Sequence, residues 1–203
     1  TGEAAIWINT PVSLSSAIGT FATGWLATKL YKKYPGAIAW VPAIGLALSV
    51  PFYIFAFTTD SLLLAAICLM IGGFVKYGYL AAQYTIGQGV VSMRVRAMAT
   101  AVLLFVVNLI GYGFGPLFIG AISDIFFVSG IAEFGVATEE LARNQCHPAV
   151  IGQLSDNLQN VCGDVYAQSL RSAMVIMATL YIACSLFFLL TWRRLGKDMV
   201  DRN

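Results

Sequence analysis

The chain has 203 residues, 59% of them hydrophobic and only 11% charged, with a mean hydropathy of +0.78. That balance is the composition of an integral membrane chain rather than of a soluble domain. The formal net charge of +2 comes with no basic stripe and no nucleic-acid-binding motif, so no nucleic-acid partner is expected.

The first apolar run, residues 5–28, is interrupted by Pro11 and a Ser/Gly-rich turn and ends at Lys29, Lys32 and Lys33. Residues 37–59 carry no charge, with Pro42 near the start and Pro51 expected to kink the second half. Asp60 marks a short turn into a third run, residues 61–91, whose single charge is Lys76. That run ends before Arg94 and Arg96, and a fourth span follows over about 97–124. A polar segment of about 125–170 then holds Glu133, Glu139, Glu140, Arg143, Asp156 and Asp164, with short surface helices expected over 138–142 and 149–158. Residues 172–192 make the last span, closed by Arg193, Arg194 and Lys197. The expectation is one all-α bundle of five transmembrane helices over 1–203, with one long exterior loop at 125–170. Residue 1 is Thr and no leader pattern opens the chain, so it is expected to be cut from a longer protein.

Basic residues orient the bundle. With the Lys29–Lys33 turn in the cytoplasm, the Arg94/Arg96 turn and the C-terminal tail lie there too, which places nine of the twelve basic residues on that side. Arg143 and Arg171 fall outside, and the reversed orientation inverts the bias. The exterior loop contains Cys146 and Cys162 with fifteen residues between them. On an oxidising side a disulfide is the natural reading, worth about 3 kcal/mol in the loop-entropy model, against two free thiols. His147 neighbours Cys146, but no metal-binding spacing accompanies it. Cys68 and Cys184 read as small packing residues inside membrane helices.

Lys76 is the costly residue. Near the middle of an apolar span, an unpaired ammonium costs at least about 2.5–3.5 kcal/mol, and snorkelling serves lysines near helix ends. It therefore calls for a water-filled cavity, an anionic partner or a lost proton. On a single helix Leu69, Gly72, Gly73, Lys76, Tyr79, Leu80, Gln83 and Gly87 share one face, opposite Ile67, Ile71 and Phe74. The first face reads as a cavity wall and the second as a lipid face. Tyr77, Tyr79, Gln83 and Tyr84 are expected to gather around Lys76, too central to be an interfacial aromatic belt. The bland alternative is a permanent ion pair with an acid elsewhere, since Glu3, Asp60 and Asp124 all fall at membrane edges.

Three stretches carry a family resemblance. Gly24-Trp25-Leu26-Ala27-Thr28-Lys29-Leu30-Tyr31-Lys32-Lys33 resembles the signature loop of the major facilitator superfamily, G-x-L-A-D-R-x-G-R-R, with Thr28 in place of the acid and Tyr31 in place of the second glycine. Residues 88–101, with Gln88, Met93, Arg94, Arg96, Ala97, Ala99 and Ala101, resemble a turn of bacterial spinster-like facilitators, though Ser92 stands near their usual proline. Asn108, Gly111, Gly113, Gly115, Pro116, Gly120, Ser123 and Asp124 are similar to the N-L-I-G-x-G-x-G-P-x-x-x-G-x-x-S-D helix of the same branch. Apart from the resemblance, positive-inside topology alone explains the lysines, and the glycine run reads as a close-packing, deformable face with Pro116 removing one backbone hydrogen bond.

The resemblance implies the C-terminal half of a twelve-helix transporter, with these spans equivalent to helices 8–12. The remaining partners are then the lipid bilayer and the other helices, an N-terminal half plus helix 7, because the substrate cavity of such folds lies between halves. It implies alternating access without a redox or nucleotide cofactor, and no enzyme constellation competes with that reading. The implied substrate is an amphiphilic or lipid-like anion such as a lysophospholipid or sphingoid phosphate, with proton coupling supplied outside this fragment. Lys76, Tyr77, Tyr79, Gln83, Tyr84 and Asn108 are the candidate substrate contacts. Gly24, Lys29, Lys33, Arg96, Gly111, Gly115 and Pro116 are the candidate gating residues, and Cys146 and Cys162 the candidate bridge. The implied location is a bacterial inner membrane, with the C-terminus cytoplasmic and residues 125–170 periplasmic. Rival readings are a facilitator for other small organic anions or drugs, and a non-transporting assembly subunit in which Lys76 pairs permanently.

Overall fold

The computed structural model describes residues 2–31, 33–34, 36–133 and 156–198, and within them the chain is helical, with turns and no strand. The helices are α1 (Gly2–Tyr31), α2 (Ala37–Thr58), α3 (Leu62–Lys76), α4 (Gly78–Gly89), α5 (Arg96–Asn108), α6 (Gly115–Glu133) and α7 (Asp156–Asp198). A short 3-10 turn, Met93–Val95, precedes α5, and a π-helical turn, Leu109–Phe114, joins α5 to α6.

Four described stretches are long and apolar enough to cross a membrane: Ala37–Thr58, Leu62–Gly89, Met93–Gly130 and Gln159–Trp192. The fifth expected span, α1, is a helix of 30 residues but is not among them. Its apolar run is diluted by Ser13, Ser15, Ser16, Thr20, Thr23 and Thr28. Those hydroxyls turn inward: Ser16, Thr20 and Thr28 donate to the carbonyls of Val12, Ser16 and Gly24 one turn back, at 2.8, 2.9 and 2.8 Å. The interruption expected at Pro11 does not occur, because losing one rung leaves the rest of a long ladder intact. Helical backbone also continues past both ends of the expected exterior loop, to Glu133 and from Asp156, since charged residues need not end a helix once it leaves the apolar layer. The expected helix at 138–142 lies outside the described residues, and 156–158 belong to α7.

The chain divides into two compact units. The first contains α1 to α4, α5 as far as Val107, and α7 from Ala178. Here α3 and α4 pack against both α1 and α2. Small residues permit the close approach that gives apolar helices their dispersion contacts in a membrane. A methyl group at Gly19 would overlap the backbone of Phe74, one at Gly45 would lie 2.7 Å from the Val75 carbonyl oxygen, and one at Gly78 would strike Thr23. Hydroxyls stitch the same seams: Ser15 Oγ donates to the Met70 carbonyl at 2.8 Å, and Ser185 Oγ on α7 donates to the Ala43 carbonyl at 2.7 Å.

The second unit contains the π turn, α6 and the first part of α7. Its core is Phe127, Val165, Cys162 and Ala173, with Ser123 donating to Ser169 at 3.3 Å, both buried. The π turn closes with Gly115 N–H bonded to the Ile110 carbonyl, five residues back. Pro116 has no N–H and its ring presses on the carbonyl four residues earlier, so widening the preceding turn relieves that clash. Among the described residues, a methyl at Gly111, Gly115 or Gly120 of this stretch meets nothing within 4 Å.

Two substitutions separate these glycine roles. Gly19→Ala should destabilise the helical bundle by about 1–3 kcal/mol through overpacking, whereas Gly111→Ala should be neutral or stabilising by up to about 1 kcal/mol. Thermal unfolding of the two purified variants checks the contrast.

Candidate functional site

The third apolar run is not one helix. Tyr77 adopts φ −64 and ψ −8, and its carbonyl accepts the Leu80 N–H at 3.1 Å, a tightened turn between α3 and α4. Thr20 Oγ1 of α1 also approaches the Tyr77 carbonyl, at 3.4 Å. Lys76 is therefore the last residue of α3, at a break inside a membrane-length segment.

At that break the ammonium of Lys76 meets three tyrosine rings. Its Nζ lies 5.0 Å from the centre of the Tyr53 ring on α2, 4.7 Å from Tyr77, and 5.0 Å from Tyr181 on α7. It also donates to the Tyr181 hydroxyl at 3.3 Å. A ring face attracts a cation by about 0.5–2 kcal/mol depending on desolvation, but at 3.3 Å from the Tyr181 hydroxyl and 5.0 Å from that ring's centre the ammonium lies beyond the hydroxyl and contacts its oxygen, not its face. Among the described residues no carboxylate pairs with the ammonium. The rings hold one another as well: Tyr53 meets Tyr181 edge-on at 5.7 Å and 67°, and Phe57 at 6.0 Å.

The other expected contacts divide. Tyr77 is at the ammonium, and Tyr79 packs on Tyr77 with ring centres 6.4 Å apart. Gln83 lines a different surface, an open apolar groove along α4 and α5 with Val95, Met98, Val102 and Val106. No contact joins Tyr84 to Lys76, and both are half-buried. Asn108 belongs to the second unit, at the start of the π turn. Three of the eight residues of the expected cavity wall lie in packing seams. A methyl at Gly72 would lie 3.0 Å from Tyr53, one at Gly73 2.7 Å from Ser16, and one at Gly87 2.8 Å from Leu103. The face opposite is exposed as expected, at Ile67, Ile71 and Phe74. Reasoning on one helical wheel missed Tyr53 and Tyr181, which come from other spans. Their signal was a tyrosine hydroxyl in the interior of each apolar run.

Among the candidate gating residues, Gly24 faces α4, where a methyl would lie 3.2 Å from Ala81 Cβ. Lys29 Nζ sits 4.8 Å over the Trp25 ring and Lys33 Nζ 5.5 Å over Tyr34; Lys32 lies outside the described residues. The Nε of Arg96 is buried with no hydrogen-bond partner in the structure. Gly111 lies within the π turn, and Gly115 and Pro116 follow it. Cys162 is buried and disulfide-bonded, Cys68 and Cys184 are free, and Cys146 lies outside the described residues. Among the described residues no cluster of His, Cys, Asp and Glu could hold a metal ion.

Two solved structures resemble the chain, both of a bacterial homologue of the human lysosomal transporter Spinster. The inward-facing, unoccupied form is 35% identical, with a TM-score of 0.84 over 99% of this chain and 42% of that one. The inward-facing, occupied form is 34% identical, with a TM-score of 0.81 over 95% of this chain and 42% of that one. The chain thus spans under half the length of these relatives, which are transporters and not enzymes. No family profile and no curated protein sequence matches it.

Tyr181→Phe keeps the ring and removes the hydroxyl that accepts from Lys76. It should destabilise the protein by about 1 kcal/mol, and Tyr181→Leu by more, because the edge-on ring contact with Tyr53 goes as well. Thermal unfolding in a fixed detergent measures the ranking.

Proposed function

Since the chain is a half-length bundle of major facilitator fold, related along its whole length to bacterial Spinster homologues, we propose that it is the C-terminal portion of a secondary active transporter working by alternating access. Its spans take the places of helices 8–12 in a twelve-helix protein, and the other helices complete the substrate cavity. The substrate is an amphiphilic or lipid-like anion, such as a lysophospholipid or sphingoid phosphate. The observation that carries this reading is Lys76: a cation inside a membrane-length segment, half-buried beside three tyrosines, with no carboxylate among the described residues paired to it. Cation–π contacts do not neutralise the ammonium, so its charge stays available to an anionic head group. Apolar walls such as the α4–α5 groove suit an acyl chain. Among the described residues no carboxylate pairs with Lys76, and proton coupling is assigned to the remaining helices.

The basic residues orient the protein in a bacterial inner membrane with the C-terminus cytoplasmic and the segment between α6 and α7 periplasmic. On that oxidising side we assign Cys146 as the partner of Cys162, which is itself a bonded cysteine. A facilitator for other organic anions uses the same lysine in the same way, so the class of anion is settled by transport assays.

In proteoliposomes containing the full transporter, Lys76→Ala and Lys76→Met should each lower uptake of an anionic lysophospholipid by about tenfold or more, as expected for losing a charge-assisted contact of some 1.5–3 kcal/mol. Wild-type uptake of every anionic substrate by both folded variants contradicts the head-group role. Labelling with a membrane-impermeant thiol reagent should reach Cys146 and Cys162 only after reduction; ready labelling of both in the native protein removes the bridge.

A further inference from the structure

We infer that the groove between α4 and α5 holds one acyl chain of an anionic phospholipid drawn from the bilayer, with the lipid phosphate on Arg96. The groove has a volume of about 650 Å³ and an apolar lining apart from Gln83. Its α5 side runs from Val95 to Val107, about 18 Å at 1.5 Å per residue. The mean cross-section is then about 36 Å², or about 6 Å across. A helix with its side chains, about 10–12 Å wide, rests on such a groove, whereas a hydrocarbon chain lies in it. Lipid tails are as apolar as the valines of the lining and enter without preference, so a charge at one end is what makes the groove a site.

Arg96 supplies that charge. At helical spacing it shares one side of α5 with Ala99, Leu103 and Val107, all of which line the groove. It lies where two membrane-length stretches, Leu62–Gly89 and Met93–Gly130, turn into one another, at the depth of lipid head groups. Arg96 is half-buried, and its Nε is buried with no hydrogen-bond partner among the described residues. A charged donor sealed from solvent and left unpaired is destabilising. A lipid phosphate satisfies it, because the guanidinium fork matches phosphate oxygens. Exposed Arg94 in the same turn and the positive end of the α5 dipole add to the attraction for an anion. The walls stand without the lipid: Gln88 of α4 donates to Thr100 of α5 at 3.2 Å, and Gly87 leaves room for Leu103. Lys76 and its tyrosines do not line the groove. This lipid is a bound component rather than cargo, and the inference does not depend on what the protein transports.

The delipidated full transporter should bind phosphatidylglycerol saturably, read as protein–lipid complexes by native mass spectrometry. Arg96→Gln should weaken that binding about tenfold or more, the loss of a charge-assisted contact, and Arg96→Lys by less. Val102→Trp fills the groove from an exposed position and should lower occupancy with the arginine intact. Lys29→Gln, which removes an exposed cation elsewhere, should change binding by less than about twofold. Unchanged binding in Arg96→Gln or in folded Val102→Trp, or equal losses in Arg96→Gln and Lys29→Gln, overturns the proposal. So does a lysophospholipid that displaces phosphatidylglycerol from wild type but not from Lys76→Ala, because the groove then belongs to the cargo site. If Val102→Trp does not fold, the contrast between Arg96→Gln and Lys29→Gln decides.

Discussion

Lys76 must keep a charge in a segment of membrane length, and the structure around it follows from that constraint. In the hydrocarbon there is no water to solvate an ammonium, and the backbone must also satisfy its own polar groups. The chain meets both demands at one place. The helix is broken at Tyr77, which tightens the backbone and brings that ring to the ammonium, while α2 and α7 supply two more. Ring quadrupoles attract a cation without adding a compensating charge. A carboxylate in their place would have neutralised the site.

Bringing three helices to one ammonium demands that they pack closely, and this is where the glycines and hydroxyls of the first unit act. Gly45 lets α2 approach α3 beside Val75, one residue before Lys76, and Gly78 lets α1 approach one residue after Tyr77. Gly72 admits the Tyr53 ring itself. Ser185 fixes α7 to the Ala43 carbonyl of α2 one turn beyond Tyr181. A bulkier residue at any of these seams moves a ring as well as a helix, so local packing and the housing of the charge cannot be changed separately.

How far the sequence revealed this depends on the kind of signal. Apolar runs ended by basic clusters located the helices well, because crossing a membrane constrains length and charge directly. Lys76 stood out for the same reason. The partners of Lys76 were less legible, since a helical wheel relates residues only within one segment. Tyr53 and Tyr181 become neighbours of Lys76 only through tertiary packing, and Gln83 lines a groove along α4 and α5 that a wheel of one segment does not show. The glycine stripe was visible, but periodicity cannot tell a cavity wall from a helix seam: Gly72 and Gly73 are seam, while Gly111 and Gly115 meet nothing within 4 Å.

The two irregular turns have different causes, and the difference bears on what each can do. The π turn at Leu109–Phe114 directly precedes Pro116, whose ring clash a widened turn relieves. The turn at Tyr77 has no proline. Its residue is compatible with continuing helix, and the tertiary contact there is the Thr20 hydroxyl on its carbonyl, while the Lys76 ammonium reaches its ring from the preceding residue. A break maintained by contacts can close when those contacts change, whereas one imposed by a ring cannot. The ammonium and the point at which its helix is interrupted are therefore adjacent residues, Lys76 and Tyr77.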